Sequence, residues 1–159
     1  MKKPAGRTPK RKSTKKFTSK LASGAATMER LLAAARSARE RAYAPYSRYH
    51  VGSAVLGDNG KIYAAANVEN ASYGLSICAE RNAVSAAILD GASKILACAV
   101  VTASSPPAAP CGMCRQTLSE FAPRAPSDMP IALSNAQGER RDTLMSAILP
   151  LAFRPEDLS

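Results

Sequence analysis

The apolar residues recur at two different periods along the chain. Between Thr27 and Pro45 they recur every three or four residues, which predicts a helix with Thr27 as its N-cap and Pro45 as its stop. Residues 51–56 and 61–66 are apolar runs on either side of a Gly-Asp-Asn-Gly sequence that is typical of a tight turn. The pattern therefore predicts a helix followed by two antiparallel strands.

Helical and extended patterns alternate in the rest of the chain. Apolar residues recur at helical spacing from residue 79 to 89, and Gly91 is placed to end that helix. The later segments are predicted as a strand at 94–102, a helix from 111 or 112 to 121, a strand at 129–134 and a short helix within 142–149. Two strand-helix-strand connections imply a partly parallel sheet with helices on its faces. The expected fold class is α/β, a three-layer α/β/α sandwich around a mixed β-sheet.

Positive charge is concentrated at the N-terminus. Residues 1–20 carry nine of the 22 Lys and Arg residues and no acidic residue, so the other 139 residues are nearly neutral. Because residues 1–26 are also poor in large apolar side chains, we expect a disordered basic tail, followed by one domain at 27–159. The tail is open to three interpretations, which are an arm for nucleic acid or an acidic partner, a transit peptide, and a solvated segment without a role.

The apolar runs are too short to cross a bilayer, and no hydrophobic signal-peptide region follows the lysine-rich start. We therefore expect a cytoplasmic protein with no membrane partner.

Three cysteines in two short segments predict a metal site. Cys78 begins a Cys-Ala-Glu-Arg sequence, and Cys111 and Cys114 lie within Pro-Cys-Gly-Met-Cys-Arg-Gln. Three protein ligands leave one position of a tetrahedral Zn²⁺ open, which is typical of a catalytic zinc rather than a structural one. Glu80 would lie beside the metal without binding it, where a proton shuttle is needed. We expect one Zn²⁺ per subunit.

The cysteines have other interpretations, namely two disulfides, a structural zinc, or buried thiols with a redox pair. A chain of this length can bury a core without disulfides. A structural zinc needs a fourth ligand, yet Cys98 lies in an apolar run typical of a buried thiol, and the single histidine, His50, is not spaced like a ligand.

Three thiolates on Zn²⁺ leave a net negative charge that weakens the metal as a Lewis acid. Helix N-termini offset such a charge with their partial positive charge and free N–H groups. Arg81 and Gln116 each lie close in sequence to a cysteine, so we expect them to donate hydrogen bonds to sulfur.

A ligand-x-Glu sequence followed by Pro-Cys-x-x-Cys is the pattern of zinc deaminases. Together with Ala-Pro-Tyr-Ser-Arg-Tyr-His-Val-Gly at 44–52 and Asn-Val-Glu-Asn-Ala at 67–71, it resembles the small homotetrameric zinc-dependent cytidine deaminases from about residue 28 to 158. The resemblance implies a hydrolase that deaminates cytidine and 2′-deoxycytidine in pyrimidine salvage. It also implies Cys78, Cys111 and Cys114 as zinc ligands and Glu80 as the catalytic acid and base.

The same resemblance implies a set of substrate-binding residues. Asn67 and Glu69 correspond to the residues that hold the ribose, and Ala79 to a further substrate contact. The pyrimidine would lie between Tyr49 and the Phe153 of a neighbouring subunit, so the homotetramer would share its active sites. The family usually has Phe where this chain has Tyr49, and a buried tyrosine hydroxyl needs a partner.

Two alternatives to cytidine deamination follow from the same residues. Because Tyr49 departs from the family, the substrate is open to being a modified cytosine nucleoside or a nucleoside antibiotic. In a different class, the chain would be a zinc-stabilised nucleic-acid-binding module that uses its basic tail. Editing of RNA or DNA is disfavoured because the predicted domain is close to neutral and has no basic groove rich in aromatic residues.

Overall fold

The computed structural model describes residues 24–158. The helices are α1 (Ala25–Arg39), α2 (Ala79–Leu89), α3 (Gly112–Phe121) and α4 (Met145–Ile148), with 3-10 turns at Tyr73–Leu75 and Pro155–Leu158. The strands are β1 (Gly52–Gly57), β2 (Ile62–Ala66), β3 (Ile95–Thr102), β4 (Pro130–Asn135) and β5 (Arg140–Leu144).

The five strands form one mixed sheet in the order β2-β1-β3-β4-β5. Strand β1 is antiparallel to β2 and to β3, β3 is parallel to β4, and β4 is antiparallel to β5. The predicted hairpin and the predicted mixed sheet are therefore both confirmed. Strands β2 and β3 run in the same direction because each is antiparallel to β1.

The first helix has different ends from those predicted. It begins at Ala25 with Gly24 as its N-cap, and the Thr27 backbone N–H donates to the Gly24 carbonyl at 2.9 Å, so the prediction of Thr27 as N-cap is wrong. Alanine is the best helix former, which favours this earlier start. The helix also ends at Arg39, well before Pro45. Of the predicted tail, residues 1–23 lie outside the described residues.

The C-terminal part of the sheet contains a strand that the sequence pattern missed. Residues 142–149 were expected to form one short helix, but β5 occupies Arg140–Leu144 and only Met145–Ile148 is helical. Strand β5 is mostly exposed and begins Arg-Arg-Asp, so it carries no alternation of apolar and polar residues. Pairing with β4, which no local pattern reveals, makes this segment a strand.

The sheet separates two apolar clusters, as a three-layer sandwich requires. All eight residues of β3 are buried, and from Ala97 to Val101 its successive side chains belong to opposite clusters. Helix α1 packs on one face so closely that a Cβ at Gly52 would lie 1.9 Å from the Ala35 carbonyl oxygen. Only glycine therefore fits at this position of β1.

The connections bring two helix N-termini to one edge of the sheet. Helix α2 follows β2 and helix α3 follows β3, and these two strands run in the same direction. Both helices therefore begin at the edge where these strands end. Within residues 24–158, no helix has the length and apolar character needed to cross a membrane.

Candidate metal centre and active site

Three cysteine sulfurs meet where α2 and α3 begin. Cys78 is the N-cap of α2, Cys111 is the N-cap of α3, and Cys114 lies in the first turn of α3. The Sγ atoms of Cys111 and Cys114 are 3.5 Å apart, those of Cys78 and Cys111 are 3.9 Å apart, and all three lie within 4.8 Å of one another. Tetrahedral zinc with Zn–S bonds of about 2.3 Å places its sulfurs about 3.8 Å apart. The cluster therefore fits one zinc ion.

The surroundings of the cluster favour a thiolate at Cys78. A hydrogen bond with the Cys114 thiol is the main cause that lowers the pKa of Cys78 to about 6, and Cys111 and the charge of Arg81 lower it further. The same hydrogen bond raises the pKa of Cys114, because the pair holds one proton between two sulfurs. Two helix N-termini add partial positive charge at the cluster.

The fourth cysteine, Cys98, is not part of the cluster. Cys98 is fully buried in β3, its Sγ lies 3.7 Å from Ser53 Oγ, and burial raises its pKa to about 12. The expectation that Cys98 is a small buried residue is confirmed. In the described part of the chain the cluster consists of three cysteines, with no fourth His, Cys, Asp or Glu ligand.

Glu80 lies next to the cluster in the first turn of α2, and only 4% of the residue is exposed. Burial raises the pKa of its carboxyl group, and the negative charge of Cys78 raises it further. A hydrogen bond with Cys114 acts in the opposite direction. The carboxyl group is therefore held beside the sulfurs and away from solvent.

Arg81 and Gln116 were expected to donate hydrogen bonds to sulfur, and the described structure shows neither bond. Arg81 lowers the pKa of Cys78 through its charge, but it makes no hydrogen bond to a sulfur within residues 24–158. The Gln116 amide donates from Nε2 to the Phe153 carbonyl oxygen at 2.7 Å. Gln116 thus contacts the C-terminal segment instead of the metal ligands.

Asn67 and Glu69 both bind the segment that precedes β1. Asn67 accepts a hydrogen bond from the Val51 N–H and donates one to the Tyr49 carbonyl, each at 2.9 Å. The Glu69 carboxylate accepts from the backbone N–H groups of residues 46 and 47 and from the Ser47 hydroxyl. That hydroxyl is the main cause that lowers the pKa of Glu69.

The two aromatic residues and Ala79 lie in contrasting environments. Tyr49 is 37% exposed, and its hydroxyl lies 2.6 Å from Ser104 Oγ. Phe153 is 58% exposed, whereas Ala79 is fully buried at the first position of α2. The partner that the tyrosine hydroxyl required is therefore Ser104.

Sequence reasoning missed three residues that build the site. Ser47 binds Glu69 from 22 residues away and Ser104 binds Tyr49 from 55 residues away, so no short-range spacing connects either pair. Arg115 donates from Nε to the Pro110 carbonyl at 2.7 Å and from Nη1 to the Ile148 carbonyl at 3.1 Å. Its position directly after Cys114 was the one available signal.

The sheet with its layered helices and a three-sulfur cluster beside a buried carboxyl group defines a zinc-binding α/β/α enzyme domain. A sequence profile described as the cytidine and deoxycytidylate deaminase zinc-binding region matches residues 25–126. A cytidine deaminase from Sporosarcina psychrophila is 43% identical over 132 residues, which cover 83% of this chain and 95% of that protein. The chain belongs to the cytidine and deoxycytidylate deaminase family.

Solved structures agree with this assignment. The cytidine deaminase from Burkholderia pseudomallei superposes with a TM-score of 0.72 at 44% identity and covers 79% of this chain and 98% of that one. The cytidine deaminase from Mycobacterium tuberculosis gives a TM-score of 0.66 at 38% identity, with coverages of 79% and 95%. The predictions of the fold class and of the family are therefore confirmed.

Proposed function

We propose that the chain catalyses the zinc-dependent hydrolytic deamination of cytidine and 2′-deoxycytidine to uridine and 2′-deoxyuridine. The observation that carries the proposal is the buried Glu80 carboxyl group beside three sulfurs that leave one zinc position open. Relatives that bear the name cytidine deaminase and align over most of this chain support it.

Glu80 moves the protons of the reaction. Zinc, when bound by Cys78, Cys111 and Cys114, supplies the Lewis acidity that makes water a nucleophile near neutral pH. Glu80 takes a proton from the attacking water and delivers it to ring N3 while the new C–O bond forms at C4. The carboxyl group then moves the remaining hydroxyl proton to the amino group, which leaves as ammonia as the C4 carbonyl forms. Its raised pKa makes the carboxylate a stronger proton acceptor than an ordinary glutamate, which suits this role.

Four other residues are proposed to bind the nucleoside. The Asn67 amide and the Glu69 carboxylate offer a donor and acceptors to the ribose hydroxyls. Tyr49 provides an aromatic ring for the base, and buried Ala79 lies next to Glu80 at the start of α2, where it would contact the substrate. Val68, between Asn67 and Glu69, pairs with Ile77 directly before Cys78, and the Asn67 amide donates to the Tyr49 carbonyl; these contacts link the segment to the cysteines and support the assignment.

The second aromatic residue is proposed to act in a neighbouring subunit. Phe153 is 58% exposed, and Leu151 and Leu158 on the same C-terminal segment are 94% and 77% exposed. Apolar side chains exposed together mark a contact surface. We place this segment in the subunit contacts of a homotetramer with shared active sites, working in cytoplasmic pyrimidine salvage.

The modified-nucleoside alternative rests on Tyr49, and the nucleic-acid alternative rests on the basic tail, which lies outside the described residues. Two measurements on purified protein with and without residues 1–23 distinguish cytidine deamination from the nucleic-acid-binding module. They are the rate of uridine formation from cytidine and the zinc content. Cytidine deamination predicts uridine release at equal rates in both forms. A nucleic-acid module predicts no ammonia release and salt-sensitive polynucleotide binding that is lost with the tail.

Replacing the proposed proton shuttle tests the mechanism directly. Glu80→Gln keeps the shape of the side chain but cannot accept a proton, so we expect the turnover number for cytidine to fall about 10²–10⁴-fold with zinc content unchanged. Glu120→Gln, which alters an exposed carboxylate on α3, is the matched control and should keep full turnover. Near-normal turnover by Glu80→Gln removes Glu80 from the mechanism.

A further inference from the structure

A hydrogen bond between two side chains joins the start of β1 to the end of β3. The hydroxyl of Tyr49 and Oγ of Ser104 are 2.6 Å apart. The two residues come together because β1 and β3 are antiparallel neighbours, with Gly52 opposite Val101. Tyr49 precedes β1 and Ser104 follows β3, so both lie at the same edge of the sheet.

Ser104 is itself held by a hydrogen-bond network around the buried Asn135. Asn135, fully buried at the end of β4, donates from Nδ2 to the Ser104 carbonyl at 3.2 Å and to Glu139 Oε2 at 2.5 Å. Ser105 Oγ donates to the same Glu139 oxygen at 2.8 Å. Asn135 Oδ1 in turn accepts from the backbone N–H groups of Gln137 at 3.1 Å and Glu139 at 2.9 Å. Ser104 is thereby tied to the turn between β4 and β5.

The backbone of Tyr49 is fixed by other contacts. Its N–H donates to Ser47 Oγ at 3.0 Å, and its carbonyl accepts from Asn67 Nδ2 at 2.9 Å. These two backbone hydrogen bonds still allow the Tyr49 side chain to rotate. The hydrogen bond to Ser104 restricts this rotation, because it holds the hydroxyl end of the ring.

We propose that Ser104 is a positioning residue that holds the Tyr49 ring in place for the nucleoside base. The inference rests on the proposed function, in which Tyr49 contacts the base. A ring that is already fixed loses no side-chain entropy when substrate binds, so the bond lowers the substrate concentration needed for half-maximal rate. Because Ser104 satisfies the tyrosine hydroxyl, the ring face is free to contact the base as a phenylalanine ring would.

A double-mutant cycle on Tyr49 and Ser104 tests this role. We expect Ser104→Ala to raise KM for cytidine about fivefold, as befits one neutral hydrogen bond, with kcat within about twofold and full zinc content. Tyr49→Phe should raise KM similarly, and the double variant should be no worse than either single variant. Ser104→Thr restores a hydroxyl and should restore KM. Ser85→Ala, on the exposed face of α2, is the matched control.

Several outcomes contradict the inference, and they are distinguishable. If Tyr49→Ala raises KM while Ser104→Ala and Tyr49→Phe do not, Tyr49 contacts the nucleoside without help from Ser104. Additive losses in the double variant also overturn the coupling. Unchanged KM in Tyr49→Ala overturns the role of Tyr49 itself, and a zinc-loaded parent chain that forms no uridine overturns the proposed function. If Ser104→Ala does not fold, Tyr49→Phe and Ser104→Thr still decide, since the inference requires a raised KM in the first and a normal KM in the second.

Discussion

The three sulfurs lie at the N-termini of two helices, whereas three of the proposed nucleoside-binding side chains lie on residues 44–51 and 67–77, which we call the nucleoside-binding segments. Helices α2 and α3 are fixed by packing on a buried sheet. The nucleoside-binding segments are mostly exposed and are joined by side-chain hydrogen bonds from Asn67 and Glu69. The metal geometry is thus set by the core, and the substrate geometry is set by a few polar side chains at the surface.

Because of this contrast, we expect substitutions in the two regions to have two different kinds of effect. We expect removal of a sulfur to leave the fold intact but to abolish zinc binding, because the three cysteines lie outside both apolar clusters. We expect removal of a polar group in the nucleoside-binding segments to shift several residues at once, because Asn67 and Glu69 each bind two backbone groups. Substitutions at the sulfurs, beside them and in the nucleoside-binding segments should therefore have effects of decreasing size.

The largest effect is expected from removing one ligand. Cys114→Ala leaves two sulfurs, which cannot hold zinc in an open tetrahedral site, so we expect loss of stoichiometric zinc and a fall in cytidine turnover of at least about 10³-fold. Cys98→Ala is the matched control, because Cys98 is equally buried but lies in β3. It should keep zinc and activity while lowering the free energy of unfolding by about 1 kcal/mol. Zinc content and turnover measured on both variants decide; a zinc-loaded, active Cys114→Ala contradicts the assigned ligand set.

A smaller effect is expected from removing a charge near the sulfurs. Arg81 lowers the pKa of Cys78 through its positive charge, so Arg81→Ala should keep part of the zinc and lose about 10–100-fold in turnover. Arg30→Ala, an exposed change on α1, is the control. Full turnover and full zinc content in Arg81→Ala would show that the helix N-termini alone balance the sulfur charge.

The smallest effect is expected in the nucleoside-binding segments. Glu69→Gln replaces a carboxylate that accepts three hydrogen bonds from residues 46 and 47, so we expect KM for cytidine to rise about tenfold with zinc content unchanged. The three hydrogen bonds stabilise the ionised carboxylate, so the pKa of Glu69 is lowered in the folded chain. Their stabilising effect is fully present above the ordinary carboxyl pKa and is lost as the pH falls through the lowered value, where KM should rise. A steady-state KM profile from neutral to acidic pH checks this. An unchanged KM in the variant means that Glu69 only joins the two nucleoside-binding segments and does not contribute to substrate binding.

The local sequence determined most of the elements and both cysteine segments. Helices α2 and α3, strands β1 to β4 and the hairpin turn follow from periodicity and turn residues, which act over a few positions. The cysteine cluster and the adjacent Glu80 were also predictable, because a Cys-x-x-Cys spacing brings two sulfurs together on one helical turn and a Cys-x-Glu spacing puts the acid in the first turn of the helix that Cys78 caps.

The tertiary structure alone decided the remaining features. Strand β5 forms because β4 offers a free edge, although its own residues are polar and exposed. Gln116 binds the Phe153 carbonyl, and Tyr49 binds Ser104, because the chain brings residues 37 and 55 positions apart into contact. Short-range patterns carry no information on such pairs, since each contact depends on how distant strands and helices pack together.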